Sequence, residues 1–203
     1  MARNIQKEFD ALVASLRERP KLLLHSCCGP CSTACLEILT RYFDTTVYFY
    51  NPNILPAEEF EKRLFWQKHL LDSAPFAAGV GLIVPDRDED AFHRAAAGLE
   101  GEREGGARCT ECFRLRLSRT AEEARAGGYD YFATTLTVSP HKNAPLINEL
   151  GEALGAQLGV RWLPTDFKKR EGFKRSTELA REYGLYRQDW CGCGWPKEAS
   201  DAE

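Results

Sequence analysis

Five short apolar runs, spaced by stretches of helical periodicity, constrain the fold of this chain more than any other feature. They are "KLLLHS" (21–26), "TTVYFYN" (45–51), "AGVGLIVP" (78–85), "YDYFATTL" (129–136) and "VRWLP" (160–164). Rich in aliphatic, β-branched and aromatic residues, they are too apolar for a sheet with one wet face and read as strands covered on both sides. Between them, Phe60 and Leu64 mark a helix within 57–72. Phe113, Leu117, Ala121 and Ala124 mark a second, and Ile147, Leu150, Leu154 and Leu158 a third. Strand alternating with helix predicts an α/β fold, a parallel five-stranded Rossmann-like sheet with helices on both faces. Ligands of such sheets gather beyond the carboxyl ends of the strands. That is where "SCC" follows the first run, and Pro30 suits the first turn of a helix carrying Cys31, Cys35 and Leu39.

At 203 residues the chain reads as a single catalytic domain spanning 1–203. Ile5, Phe9, Leu12, Val13 and Leu16 fall at helical spacing, so an amphipathic helix is expected within 1–20, and residues 196–203 read as a polar tail. No apolar run approaches the roughly 20 residues needed to span a bilayer. The first 20 residues also lack the uninterrupted apolar stretch of a secretory signal. A cytoplasmic address is therefore expected, and there thiols stay reduced. Eight cysteines in that setting point to metal ligands or redox groups rather than structural bridges.

A formal net charge of −3 argues against a general polyanion binder. Charge is uneven, however. Arg161, Lys168, Lys169, Arg170, Lys174 and Arg175 face only Asp166 and Glu171 across 161–175. The stretch reads either as a solvated helix face or as a phosphate-contacting patch.

The cysteines fall into three groups: Cys27, Cys28 and Cys31; Cys109 and Cys112 in "RCTECF"; and Cys191 and Cys193 in "WCGCGW". One C-x-x-C is a weak signal, whereas groups following different elements of one sheet can share a centre. Zinc takes four thiolates at tetrahedral geometry, and adjacent cysteines reach a single small ion awkwardly. A [4Fe–4S] cluster has a separate iron for each thiolate. Cys27 and Cys28 can serve two of its corners, and Cys109 with Cys112 the other two. Spacing thus favours iron and sulfide while leaving zinc open. A helix beginning near Pro30 would aim its N-terminal dipole at such an anionic centre. Cys35, beside Leu36 and Leu39, reads as a small buried apolar residue. A disulfide closed over one intervening glycine departs from relaxed geometry and is readily reduced. Cys191 and Cys193 therefore read as a redox-active dithiol, or alternatively as further metal ligands.

Together these segments resemble the cobalamin-independent epoxyqueuosine reductases, which act at the last step of queuosine synthesis. The likeness runs from about Lys21 to Trp195. It rests on "LLLHSCCGPCS", "YFYNPNILPAEEFEKR", "RCTECFRLRL", "TTLTVSPHKN" and "DFKKREGFKRSTELAREYGLYRQDWCGC". The resemblance implies a fold related to the PP-loop/HUP fold. A cysteine segment stands where an "SGGxDS"-type loop would bind ATP. It further implies a [4Fe–4S] cluster on Cys27, Cys28, Cys109 and Cys112, a redox-active Cys191–Cys193 pair, and a lone iron beside the cluster. The position matching Cys31 is an aspartate in some members, so here a thiolate would replace a carboxylate on that iron. The implied partners are a tRNA carrying epoxyqueuosine at its wobble position and an electron donor of unspecified kind.

Under that reading, Lys168, Lys169, Arg170, Lys174 and Arg175 become candidates for holding the anticodon stem. Tyr186, Trp190 and Trp195 become candidates for stacking on a splayed base. His141, with Lys142 and Asn143, follows the fourth strand at the ligand end of the sheet and is either a proton donor or a structural loop residue. His25 reads as support for the cysteine turn, and Asn51 and Asn53 as turn formers or substrate contacts. Two rival readings use the same residues. One is a zinc-stabilised RNA-binding module, which gives no reason for the Cys-Gly-Cys segment. The other is a cluster-dependent tRNA thiolation enzyme, which would need a phosphate loop.

Overall fold

The computed structural model describes residues 3–194, so Trp195 and the tail expected at 196–203 lie outside the described residues. Five parallel strands form one sheet in the order β3-β2-β1-β4-β5. They are β1 (Lys21–His25), β2 (Asp44–Tyr48), β3 (Gly81–Ile83), β4 (Tyr131–Thr134) and β5 (Arg161–Trp162). The helices are α1 (Ile5–Ser15), α2 (Gly29–Leu39), α3 (Ala57–Ser73), α4 (Glu89–Ala96), α5 (Ala107–Ala126), α6 (Ala144–Leu158) and α7 (Gly172–Glu182). None of them is long and apolar enough to cross a membrane.

β1 is the spine of the sheet, with Leu23 opposite Thr46 of β2 on one side and Phe132 of β4 on the other. Its side chains alternate between two cores, as a strand's period of two requires. Leu22 and Leu24 pack with Leu36, Leu39, Val47 and Phe9, beneath α1 and α2. Leu23 packs with Leu117, Ala121, Ile147 and Leu150, beneath α5 and α6. Both faces of β1 are therefore dry, which is why its three central residues are all leucine.

The strands are shorter than the apolar runs that announced them. The fourth run breaks after Thr134 into a 3-10 turn, Thr135–Val138, where the Thr134 hydroxyl accepts the Leu136 N–H. The third run shrinks to an edge strand of three residues, because Pro85 just beyond it lacks the N–H a ladder needs. Helix α4 has no counterpart in the sequence reading; Asp88 caps it and Phe92 seats it.

The chain leaves β1 for β2 and β3, then crosses back to lay β4 against the other side of β1. The switch point thus lies between the carboxyl ends of β1 and β4, the expected ligand crevice. At that end α2 begins at Gly29, where an added Cβ would stand 2.7 Å from the Trp66 carbonyl oxygen in α3. This close approach brings the start of α2 onto α3. Gly29→Ala is expected to lower stability by about 1–3 kcal/mol through overpacking, read as a lower urea midpoint; an unchanged midpoint would mean the helices separate freely.

Candidate metal centre

The turn out of β1 carries Cys27 and Cys28, and the first turn of α2 carries Cys31. Their three sulfurs lie within 4.8 Å of one another. Cys28 is the N-cap of α2 and makes no side-chain capping bond, so its sulfur remains directed at its two neighbours. Cys28 is buried, and Cys27 and Cys31 are partly exposed. Beneath them a buried polar knot fixes the turn. Gln67 Oε1 of α3 lies 2.9 Å from the Ser26 hydroxyl and 2.8 Å from that of Ser32. From above, Gln188 Nε2 reaches the Cys28 sulfur at 2.9 Å.

Three thiols this close cannot all ionise without a cation among them. Hydrogen bonds from Cys28 and then Cys31 hold the Cys27 thiol well below its ordinary value. The same crowding raises the other two: Cys28 goes up to about 12, chiefly through its bond to Cys27, and Cys31 is also pushed well up. A bound metal would remove that conflict, which makes the group a fitting donor set.

Cys109 and Cys112 come from the start of α5, whose N-terminus also faces this end of the sheet. The Cys109 sulfur accepts the Gly105 N–H at 3.2 Å. Cys112 is buried, which pushes its thiol up to about 11. Neither belongs to the tight trio, but Cys112 is tied to it through Arg116, whose Nη1 lies 3.9 Å from the Cys112 sulfur. Arg116 also donates from Nε to His25 Nε2 (3.2 Å) and from Nη2 to Asn51 Oδ1 (2.9 Å). The same His25 Nε2 lies 3.1 Å from the Tyr50 carbonyl oxygen, and Nδ1 lies 2.8 Å from Thr134 Oγ1, so both ring nitrogens are engaged. Burial, with Arg116 alongside, lowers His25 to about 3, so it stays neutral.

Cys191 and Cys193 arrive on the segment after α7. Hydrogen bonding from Cys193, aided by Lys142 and Arg116 and opposed by burial, lowers the Cys191 thiol to about 5. Lys142 Nζ lies 3.8 Å from the Cys191 sulfur. Cys193 packs beside Cys112, Phe92 and Ala96. Gly192 between them has φ +105 and lies against the Arg63 guanidinium, 3.1 Å from where a Cβ would be, so only glycine suits both the torsion and the space. Cys27, Cys31, Cys191, Arg116 and Lys142 all line one cavity of about 790 Å³.

The other sequence-selected residues divide. His141 stands exposed on the cavity wall. His25 is buried support for the cysteine turn, as its sequence position suggests. Asn51 is buried too: its Nδ2 holds the Ser26 carbonyl at 2.8 Å, and Asn53 is likewise buried. Cys35 is fully buried among apolar side chains with its sulfur on the Cys31 carbonyl. Tyr186 is engaged by Lys62, 3.6 Å over its ring, and by Glu59 at its hydroxyl, whereas Trp190 lines the cavity.

The basic stretch does not converge on the cysteines. Lys169, Arg170, Lys174 and Arg175 line a separate cavity of about 450 Å³. There Arg170 pairs with Asp10 at 2.6 Å and Arg175 with Glu37 at 2.5 Å. Lys168 alone reaches back, donating to the Lys142 carbonyl at 3.2 Å. The sequence reading missed Arg63, Gln67, Arg116, Phe173 and Gln188, none of which carries a local signal of its role.

Fold and site define a Rossmann-like α/β protein with a cysteine group able to bind metal at the switch point of its sheet. The family model described as epoxyqueuosine reductase QueH matches residues 22–199. An epoxyqueuosine reductase QueH of Staphylococcus epidermidis is 47% identical over 180 residues, covering 87% of this chain and 76% of the relative. One from Streptococcus pyogenes is 44% identical over 177 residues (86% and 69%), and one from Thermotoga maritima 35% identical over 178 (85% and 88%). The chain belongs to the epoxyqueuosine reductase QueH family.

Proposed function

We propose that this chain reduces epoxyqueuosine to queuosine in tRNA, with a [4Fe–4S] cluster on Cys27, Cys28, Cys109 and Cys112. The observation that carries the reading is the trio of sulfurs within 4.8 Å, opening on a cavity that also receives Cys191. Cys31 completes the trio and is the residue to hold an adjacent mononuclear iron. When bound, these groups supply single electrons and a Lewis acid for the epoxide oxygen.

Turning an epoxide into an alkene takes up two electrons and two protons and releases the oxygen as water. Oxidising the Cys191 and Cys193 thiols to a disulfide releases two electrons and two protons. The pair is thus matched to one turnover, and a donor must then reduce it again. Lys142 favours the Cys191 thiolate, the form that exchanges. The cavity wall offers what a splayed nucleotide needs. Phe173 and Trp190 present aromatic surface, and Arg187, His141 and Lys142 present donors for phosphate or ribose. We place the base contacts on this wall, because Arg170 and Arg175 are already paired with carboxylates of α1 and α2.

Protein purified without oxygen is expected to contain about four to five irons per chain with matching sulfide, and to convert epoxyqueuosine-tRNA when given a reductant. Cys193→Ser is expected to keep its iron and sulfide but to lose turnover driven through the dithiol. Stoichiometric zinc without sulfide, retained after attempted cluster reconstitution, would instead support an RNA-binding module. A Cys193→Ser protein with full turnover would remove the dithiol from the reaction.

A further inference from the structure

Arg116 is 1% exposed, yet among the described residues no carboxylate pairs with it. A buried guanidinium without a counter-charge is strongly unfavourable. Its geometrically defined acceptors are mostly neutral. His25, a neutral ring, presents Nε2 to the guanidinium at 3.2 Å and shares it with the Tyr50 carbonyl at 3.1 Å. Asn51 offers its oxygen because its amide nitrogen is committed to the Ser26 carbonyl. The remaining acceptor is the Cys112 sulfur. Cysteine sulfurs from all three groups surround it: Cys112 at 3.9 Å, and Cys27 and Cys191 on the cavity wall it shares.

Lys142 repeats the pattern. Its ammonium faces the Cys191 sulfur and the Phe113 ring, with no carboxylate partner among the described residues. Two cations are thus placed where cysteine sulfurs gather, and Arg116 is the more deeply buried and rigidly held.

We propose that Arg116 is the fixed counter-charge of the metal centre, a positioning residue that raises its reduction potential and locks the α5 cysteines to the turn after β1. This rests on the cluster reading given above. Adding an electron to a thiolate-bound cluster makes it more anionic, and a buried positive charge nearby favours that state. The same guanidinium bridges His25 on β1, Asn51 after β2 and Cys112 on α5, so one side chain sets both charge and spacing.

The test compares wild type, Arg116→Gln and Arg116→Lys, all purified without oxygen, by iron and sulfide analysis and by potentiometry followed by EPR. Arg116→Gln is expected to be reduced at a more negative potential. At a fixed poise its ratio of reduced to oxidised centre falls about tenfold, or 59 mV for a one-electron step. Arg116→Lys keeps the charge and is expected to recover most of that shift. Should the glutamine variant fold but fail to retain its cluster while the lysine variant retains it, the charge role again holds. Equal potentials for a fully loaded Arg116→Gln and wild type would overturn the proposal. Loss of cluster from both variants, with native circular dichroism, would overturn it in favour of the guanidinium's shape alone. Zinc without sulfide in the wild type would overturn the cofactor reading itself, and this inference with it.

Discussion

Cys28→Ser is expected to fold, to bind metal about a hundredfold more weakly, and to lose reductase activity in proportion to the metal lost. The magnitude follows from the overall strength of thiolate sites. About 10–16 kcal/mol shared by four ligands is about 3 kcal/mol for each, and 1.4 kcal/mol is a factor of ten. The fold is expected to survive because Cys28 is the N-cap of α2, a position where serine is among the preferred residues. Serine is also smaller than cysteine, and the Gln188 amide that now meets the sulfur can meet a hydroxyl. Cys35→Ala supplies the control. That sulfur is just as buried, but it touches only the Cys31 carbonyl and apolar neighbours, so its loss is expected to leave metal content unchanged and to lower stability slightly. Metal analysis, urea denaturation and turnover on one set of samples separate the two. A fully metallated, fully active Cys28→Ser protein would exclude Cys28 as a ligand.

The difference between Cys28 and Cys35 was legible before any coordinates, because one follows a strand and the other lies a helical turn deeper beside leucines. The parallel sheet was legible for the same kind of reason: a strand buried on both faces has to be apolar throughout, and β1 with its three leucines is. What local pattern does not encode is which charged side chain ends up buried. Arg116 sits in "RLRLSR" and looks like any solvated helical arginine, yet the register of α5 turns it inward to His25 and Asn51. The basic stretch errs in the opposite sense. Its residues are distributed over β5, a turn and α7, and partners as distant in sequence as Asp10 and Glu37 take up two of the charges. Helix α4 went unseen because its apolar face is little more than Phe92 with two alanines, too small to produce a periodic signal.

Arg63→Ala is expected to cost about 3 kcal/mol of stability and to release the Cys191–Cys193 segment from the body of the protein. Arg63 is 2% exposed and its guanidinium is shared three ways. Nε meets Glu59 at 2.6 Å, Nη1 meets the Cys191 carbonyl at 3.0 Å, and Nη2 meets the Trp190 carbonyl at 3.3 Å. Truncation leaves a nearly buried carboxylate without its cation, although the Tyr186 hydroxyl at 3.3 Å still donates to it, which keeps the cost at the low end of the range for a broken buried pair. It also leaves two carbonyls without a donor. The Leu55 N–H on the Gly192 carbonyl at 2.7 Å is then the remaining backbone anchor described for the loop. Faster hydrogen exchange at Leu55 is therefore expected in Arg63→Ala, together with faster alkylation of Cys191. Arg63→Lys keeps the ion pair with Glu59 but cannot span both carbonyls with one ammonium. It is expected to recover much of the stability and little of the loop protection. That split is the decisive feature, since a purely global loss of stability would move both readouts together. If Leu55 exchange and Cys191 reactivity stayed at wild-type levels in Arg63→Ala, the segment would have to be held in place by Gln188 and the packing of Cys193 instead.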